Sequence, residues 1–135
     1  MKIPEPALVA DPERDLYWLK EQYRIHLPIV DSTLEVDSGV YTDGASIPRP
    51  LWSVIGHPFS PKLIAPAFVH DMLYCSESFE RDVCDKIFYE LLLEDNFFIK
   101  SETIYLTVRT FGWITTWRGH TEESVADART KVRII

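Results

Sequence analysis

The stretch Ala65-Pro66-Ala67-Phe68-Val69-His70-Asp71-Met72-Leu73-Tyr74 decides how this chain is read. On a helix, Ala67, His70, Asp71 and Tyr74 stand at i, i+3, i+4 and i+7 and share one face. Ile64, Phe68, Met72 and Cys75 make the adjoining apolar stripe. Pro66 is tolerated only in a first turn, so the helix is expected to start near Lys62 or Pro66 and run to Cys75. An imidazole and a carboxylate on the inner side of a helix cost on the order of several kcal/mol unless partnered. The partner is a metal, another carboxylate, or each other.

Downstream, Ser76-Glu77-Ser78 is a short break before a second helix from about Glu80 to Asp95. Its apolar stripe is Val83, Cys84, Ile87, Phe88, Leu91 and Leu92, with Asp85 at the edge of that stripe. Helices joined by a short connection are antiparallel neighbours, a geometry that brings Asp85 within reach of His70 and Asp71. A third helix, about Ser101 to Trp117, opens with capping chemistry at Ser101-Glu102-Thr103 and carries Ile104, Leu106, Val108, Phe111 and Trp113. Its Arg109 is an ion partner for one of the carboxylates or an anion clamp, against the ordinary alternative of a snorkelling surface side chain. Residues 118–135 are a polar tail, with Glu122 to Arg129 read as a last short helix and Lys131 to Ile135 as an edge strand.

Upstream, residues 1–15 carry Pro4, Pro6 and Pro12 among charges and read as an extended lead-in. From Tyr17 the odd positions Tyr17, Leu19, Tyr23, Ile25, Leu27 and Ile29 are apolar, the period of a strand or a pair of short strands with one wet face. Asp31-Ser32 supplies turn chemistry and Leu34 and Val36 resume the alternation, so an antiparallel hairpin is expected. Asp37-Ser38-Gly39 is a second turn or bulge before Val40 and Tyr41. Thr42-Asp43-Gly44-Ala45-Ser46-Ile47-Pro48-Arg49-Pro50-Leu51-Trp52 then leaves the strand as a dense loop barred from a sheet by its prolines. Such loops carry functional groups. Asp43 is either such a group or an Asx-turn residue that shapes the loop. Ser46 is a capping residue for a helical turn, and Ser46 and Arg49 count as supporting site residues.

With 135 residues, 46% hydrophobic and 13% aromatic, the chain is expected to form one domain, 1–135, with a well-packed core. A net charge of -7 and no Lys/Arg run argue against nucleic acid or an anionic membrane as partner. The N-terminus lacks the apolar core of a signal peptide and no apolar run reaches about 18 residues, so neither a signal peptide nor a transmembrane segment is expected. Cys75 and Cys84 have no CxxC spacing and read as two reduced, mostly buried thiols.

The blocks Glu35 to Trp52, Val69-His70-Asp71-Met72-Leu73-Tyr74, Asp85-Lys86-Ile87-Phe88 and Val108-Arg109-Thr110-Phe111-Gly112 together resemble a family of small proteins of unknown function from tailed bacteriophages and prophages. The resemblance covers about residues 17 to 117. It implies a phage origin, a location in the host cytoplasm or the assembled virion, and other phage structural proteins or a host protein as partners. A weaker, local resemblance is mechanistic. His-Asp-x-x-Tyr on a helix, followed by an Asp on an antiparallel helix, is similar to the core of phospholipases A2. That resemblance implies His70 as general base, Asp71 as calcium ligand, Asp85 as the carboxylate that orients the imidazole, and Tyr74 as a supporting phenol. The glycine-rich calcium loop and disulfides of the secreted enzymes have no counterpart here.

Two functional readings stand side by side. In one, His70 and Asp85 are catalytic in a metal-assisted hydrolase. Asp71 and Asp43 would then hold a divalent cation, calcium first and zinc or manganese second, because hard cations need oxygen ligands. In the other, the protein is a non-enzymatic virion, tail-assembly or host-binding component. There His70, Asp71, Asp85 and Arg109 form a polar network that fixes helix packing. The expected architecture is α+β: a small antiparallel β-sheet from the N-terminal third packed with a three-helix layer.

Overall fold

A computed structural model describes residues 3–13, 16–42, 63–94, 98–115 and 120–135. Strands β1 (Leu8–Asp11), β2 (Leu16–Leu19), β3 (Tyr23–Leu27), β4 (Ser32–Val36) and β5 (Tyr41–Thr42) come first. Helices α1 (Ile64–Ser76), α2 (Arg81–Glu94), α3 (Phe98–Thr115) and α4 (Glu122–Arg129) follow, and β6 (Val132–Ile134) closes the order. The class is α+β, as expected. The sheet, however, is divided. Among the described residues β1-β2-β5 form one three-stranded antiparallel sheet and β3-β4-β6 another. The lead-in contributes β1, paired Leu8 to Leu19 through Asp11 to Leu16. The C-terminal tail supplies β6 at the edge of the second sheet, Val132 opposite Val36. Alternation fixes which face of a strand is buried; it is silent on which strand becomes its neighbour.

The predicted hairpin is β3–β4, with Ile25 opposite Leu34 and Tyr23 opposite Val36. Pro28–Val30 makes a 3-10 turn between the two strands, closed by Asp31 in the left-handed region at φ 45°. Along β3, Tyr23, Ile25 and Leu27 point inward while Arg24 and His26 face solvent. Gly39, at φ 91°, occupies a backbone region that side chains disfavour and turns the chain into β5.

Helix α1 is buried on nearly every side, from Ala65 to Tyr74. A helix buried all round lies inside the molecule rather than on its surface. One side packs Phe68, Val69, Met72 and Leu73 with the inner face of β3–β4 and with Ile87 and Leu91 of α2. Another side sets Ala67 with Phe88 and Leu92 of α2 and Ile104 and Val108 of α3. Each fully buried large side chain of this kind contributes roughly 1.5–3 kcal/mol, so the core by itself fixes α1 in place. Pro66 occupies the first turn, where its missing N–H costs nothing.

The C-terminus of α1 has a polar clamp. Glu77 adopts the left-handed conformation, and its N–H reaches the carbonyls of Leu73 and Tyr74. Arg129 of α4 donates to the carbonyl oxygens of Ser76 (2.7 Å) and Glu77 (3.1 Å). His120 Nδ1 lies 2.8 Å from the Glu77 carboxylate. Helix α4 itself starts in a capping box in which Thr121 and Ser124 exchange side-chain to backbone bonds.

Candidate functional site

Three helices converge on one carboxylate. Helix α1 presents His70 and Tyr74 one turn apart, α2 presents Asp85, and α3 presents Arg109. His70 Nε2 lies 2.7 Å from Asp85 Oδ1, and the Tyr74 phenol donates to the same oxygen at 2.5 Å. Arg109 Nη1 donates to Asp85 Oδ2 at 2.7 Å. Arg81, one turn before Asp85 on α2, brings Nη1 to 3.9 Å from Oδ2 and donates through Nη2 to the Arg109 carbonyl at 3.0 Å. Asp85 is 0% exposed and His70 1%. The imidazole lies against the rings of Tyr74 and Phe88, each tilted to it, with ring centroids 4.1 and 4.7 Å away.

The protonation states follow from this packing. Burial pushes the His70 imidazole below its ordinary value, against the opposing pull of Asp85. Burial alone would raise Asp85, but hydrogen bonds from His70, Tyr74 and Arg109 together hold it below the usual carboxylate range. With guanidinium groups already beside Asp85, the imidazole need not carry charge, and the pair is an ionised carboxylate with a neutral ring. An ionised carboxylate only accepts, so the His70 proton is on Nε2 and Nδ1 keeps its lone pair. That Nδ1 is buried and, among the described residues, has no hydrogen-bond partner. Tyr74 is raised well above its usual phenol value, first by burial and then by Asp85. It stays a donor at any ordinary pH.

Asp71 goes elsewhere. Its Oδ2 accepts from Thr42 Oγ1 of β5 at 2.6 Å, and Cys75 Sγ lies 3.7 Å from Oδ1. Residues adjacent on a helix do not face the same neighbour. Here His70 turns toward α2 while Asp71 turns toward β5. The expected gathering of His70, Asp71 and Asp85 is therefore two separate contacts: Asp85 meets His70, and Asp71 meets the strand that leads into the 43–52 loop. Of the expected site residues, His70, Tyr74, Asp85 and Arg109 come together; Asp43, Ser46 and Arg49 lie outside the described residues. Among the described residues no group of three His, Cys, Asp or Glu side chains is arranged to hold a metal ion.

Two partners of these carboxylates, Arg81 beside Asp85 and Thr42 beside Asp71, were not singled out in the sequence. Arg81 stands four residues before Asp85, the spacing of an ion pair on one helix face, and that spacing was a readable signal. Thr42 as the partner of Asp71 had no such signal, because 29 residues separate them. Neither cysteine is in a disulfide in this structure; Cys84 is buried and Cys75 half-buried. Burial pushes the Cys84 thiol up to about 12, which makes it chemically inert near neutral pH. Among the described residues no helix is long and apolar enough to cross a membrane.

Comparison with known proteins places the chain in a family without assigning an activity. The family model DUF1353, described as a protein of unknown function, matches residues 17–108 and so contains β2 through most of α3. The uncharacterized protein y4jT of Sinorhizobium fredii (strain NBRC 101917 / NGR234) is 32% identical over 80 residues, which is 57% of this chain and 23% of that protein. The chain thus spans about a quarter of the length of that relative. No solved structure matches. Since that model matches well over half of the chain, the chain belongs to the DUF1353 family of proteins of unknown function.

Proposed function

We propose that His70 is the general base of a hydrolytic centre, oriented by Asp85. The observation that supports this reading is the asymmetry of the imidazole: Nε2 is bonded to a carboxylate, while the buried Nδ1 has no partner among the described residues. A histidine kept for packing alone would be expected to satisfy both nitrogens, since buried polar atoms rarely lack a partner. Once the packing over the ring opens to admit water and ester, Nδ1 takes a proton from water as its oxygen attacks the ester carbonyl. The imidazolium so formed is held by Asp85, and the proton passes to the departing alkoxide. Tyr74 and Arg109 keep Asp85 ionised and fixed.

The cation implied by the phospholipase resemblance fits less well. The Asp71 oxygens already face Thr42 and Cys75, and among the described residues no group of three His, Cys, Asp or Glu side chains gathers around them. No step is routed through a cation here. Calcium, zinc and manganese enter as assay conditions.

A second reading is favoured by a different observation. Exposure of 0–1% at Asp85, His70 and Tyr74 suits a network that locks three helices together in a non-enzymatic protein. The resemblance to phage and prophage proteins supports a role for either in the host cytoplasm or the assembled virion, with phage structural proteins or a host protein as partners.

The deciding experiment measures hydrolysis of a chromogenic ester and of phospholipid, with and without each cation, for the wild type and for His70→Gln. Glutamine retains a donor toward Asp85 and lacks the basic nitrogen. Hydrolysis that vanishes in a folded His70→Gln variant supports the catalytic reading. No hydrolysis under any condition, or hydrolysis indifferent to the substitution, overturns it. A cation bound only by the folded chain at about a hundred times its dissociation constant would add roughly 2.7 kcal/mol of stability, readable as a melting shift.

A further inference from the structure

Strand β3 is an edge. In the sheet β3-β4-β6 it pairs with β4 on one side, and among the described residues no backbone bond reaches its other side. A groove of about 210 Å³ runs along that open side. Residues 24–29 line it in succession, outward-facing Arg24 and His26 as well as inward-facing Ile25 and Leu27. Successive side chains of a strand point to opposite faces, so a groove that touches both sets lies along the rim of the strand. The opposite wall is α2, which contributes Ile87, Glu90, Leu91 and Glu94. These stand at i, i+3, i+4 and i+7 and form one helix face. The groove leaves two kinds of polar group unanswered. An edge strand holds N–H and C=O groups that point away from its neighbour, and Tyr23–Leu27 contains no proline to remove a donor. Glu90 and Glu94, exposed and one turn apart, repel one another and have no ion partner among the described residues. The basic side chains of β3 are engaged elsewhere, Arg24 with Glu35 at 3.2 Å and His26 with Asp31 at 3.7 Å. Ile29, which also lines the groove, is left 46% exposed.

We propose that this groove receives an extended segment of a partner protein, added to the open side of β3 as a further strand, with Lys or Arg side chains directed to Glu90 and Glu94. Strand addition draws affinity from main-chain hydrogen bonds and specificity from alternate side chains. The face of the added strand that meets α2 lies against Ile87 and Leu91 and beside the two carboxylates. Aliphatic residues alternating with Lys or Arg suit that face, because a long basic side chain lays its stem on apolar surface and carries its charge to the rim. The net charge of -7 favours a basic segment at longer range as well. A second copy of this chain fits the groove less well: its own β3 already buries Ile25 and Leu27 in its core and has no aliphatic side chain to spare for α2. The surface uses neither His70 nor Asp85, so it stands apart from the hydrolytic reading.

The test uses the synthetic peptide acetyl-Val-Thr-Lys-Thr-Val-Thr-Lys-amide, which as a strand puts Val and Lys on one face and Thr on the other. Titrated into the full chain, it should move the amide resonances of β3 and of α2 from Ile87 to Glu94 saturably, and it should slow hydrogen exchange at the open side of β3. Glu90→Gln and Glu94→Gln should each weaken binding about two- to fivefold, the range of one surface ion pair. The same peptide N-methylated at every residue keeps its side chains and loses its main-chain donors, and it should not bind. Should either glutamine variant fail to fold, that comparison decides the matter on the wild type alone. No saturable shifts, shifts away from β3 and α2, equal binding of the N-methylated peptide, or wild-type affinity in both glutamine variants overturns the proposal. Protection of β3 that grows with chain concentration alone, together with a dimer in sedimentation, assigns the groove to a second copy and likewise overturns it. None of these measurements reads hydrolysis, so failure of the catalytic reading leaves the result interpretable.

Discussion

Asp85→Asn is the sharpest probe of the network, because it removes one charge with almost no change in volume. The carboxylate accepts from His70 and Tyr74 through Oδ1 and from Arg109 through Oδ2. An asparagine keeps one accepting oxygen and replaces the other with an NH2 group, which meets a donor head-on. Breaking a buried ion pair from one side costs about 3–5 kcal/mol. Arg109 is a third exposed and recovers part of its hydration, so its share of the loss is the smaller one. Most of the cost falls on the sealed side, where His70 and Tyr74 lose a charged acceptor. Tyr74→Phe alone should then cost about 1.5–3 kcal/mol, the range for a hydrogen bond to a charged group. In the Asp85→Asn background it should cost less, because the two residues share one bond. Urea unfolding followed by circular dichroism reads all four proteins. The midpoint should fall while the slope stays constant. If Asp85→Asn loses less than about 1 kcal/mol, within reach of an ordinary surface substitution, then Asp85 is not the buried hub described above.

Acid should weaken the fold in two stages. Burial holds His70 below its ordinary 6.5, so below about that pH the unfolded chain binds a proton that the folded chain refuses. Stability then falls with pH by up to about 1.4 kcal/mol per unit for that one proton. Asp85 is likewise held below its ordinary 3.8, and its contribution is lost as pH drops further, through the lower folded value. Urea midpoints that stay flat between about pH 7 and pH 5 would contradict a buried neutral imidazole. Arg129→Ala should remove the clamp on the last carbonyls of α1 and cost about 1–2 kcal/mol. Amide hydrogen exchange would show it as faster exchange at Glu77 and Ser78, whose N–H groups close the end of that helix; unchanged rates there would show that the cap holds without Arg129.

Much of the fold was legible in the sequence because local patterns carried it. The odd-position alternation from Tyr17 to Ile29 marked the two strands β2 and β3, although Ile29 itself falls in the 3-10 turn and is exposed, and the turn at Asp31-Ser32 marked the β3–β4 hairpin. Pro66 set the start of α1. Asp85 was legible as a candidate because a charge at the edge of an apolar stripe is costly there unless it finds a partner, and Arg109 as an ion partner for such a carboxylate. What the sequence could not carry was direction and partnership. The residues of α1 that share a face in a wheel projection part company in three dimensions, since a helix buried all round meets a different element on every side. His70 therefore found Asp85, while Asp71 found Thr42 on β5. The division of the strands into two sheets, with β6 completing the second, was likewise a matter of long-range pairing. Periodicity reports how each segment divides its residues between core and solvent, a local property of the chain. Which buried polar groups meet, and with what net charge, depends on how three helices pack around one carboxylate, and only the tertiary structure decides that.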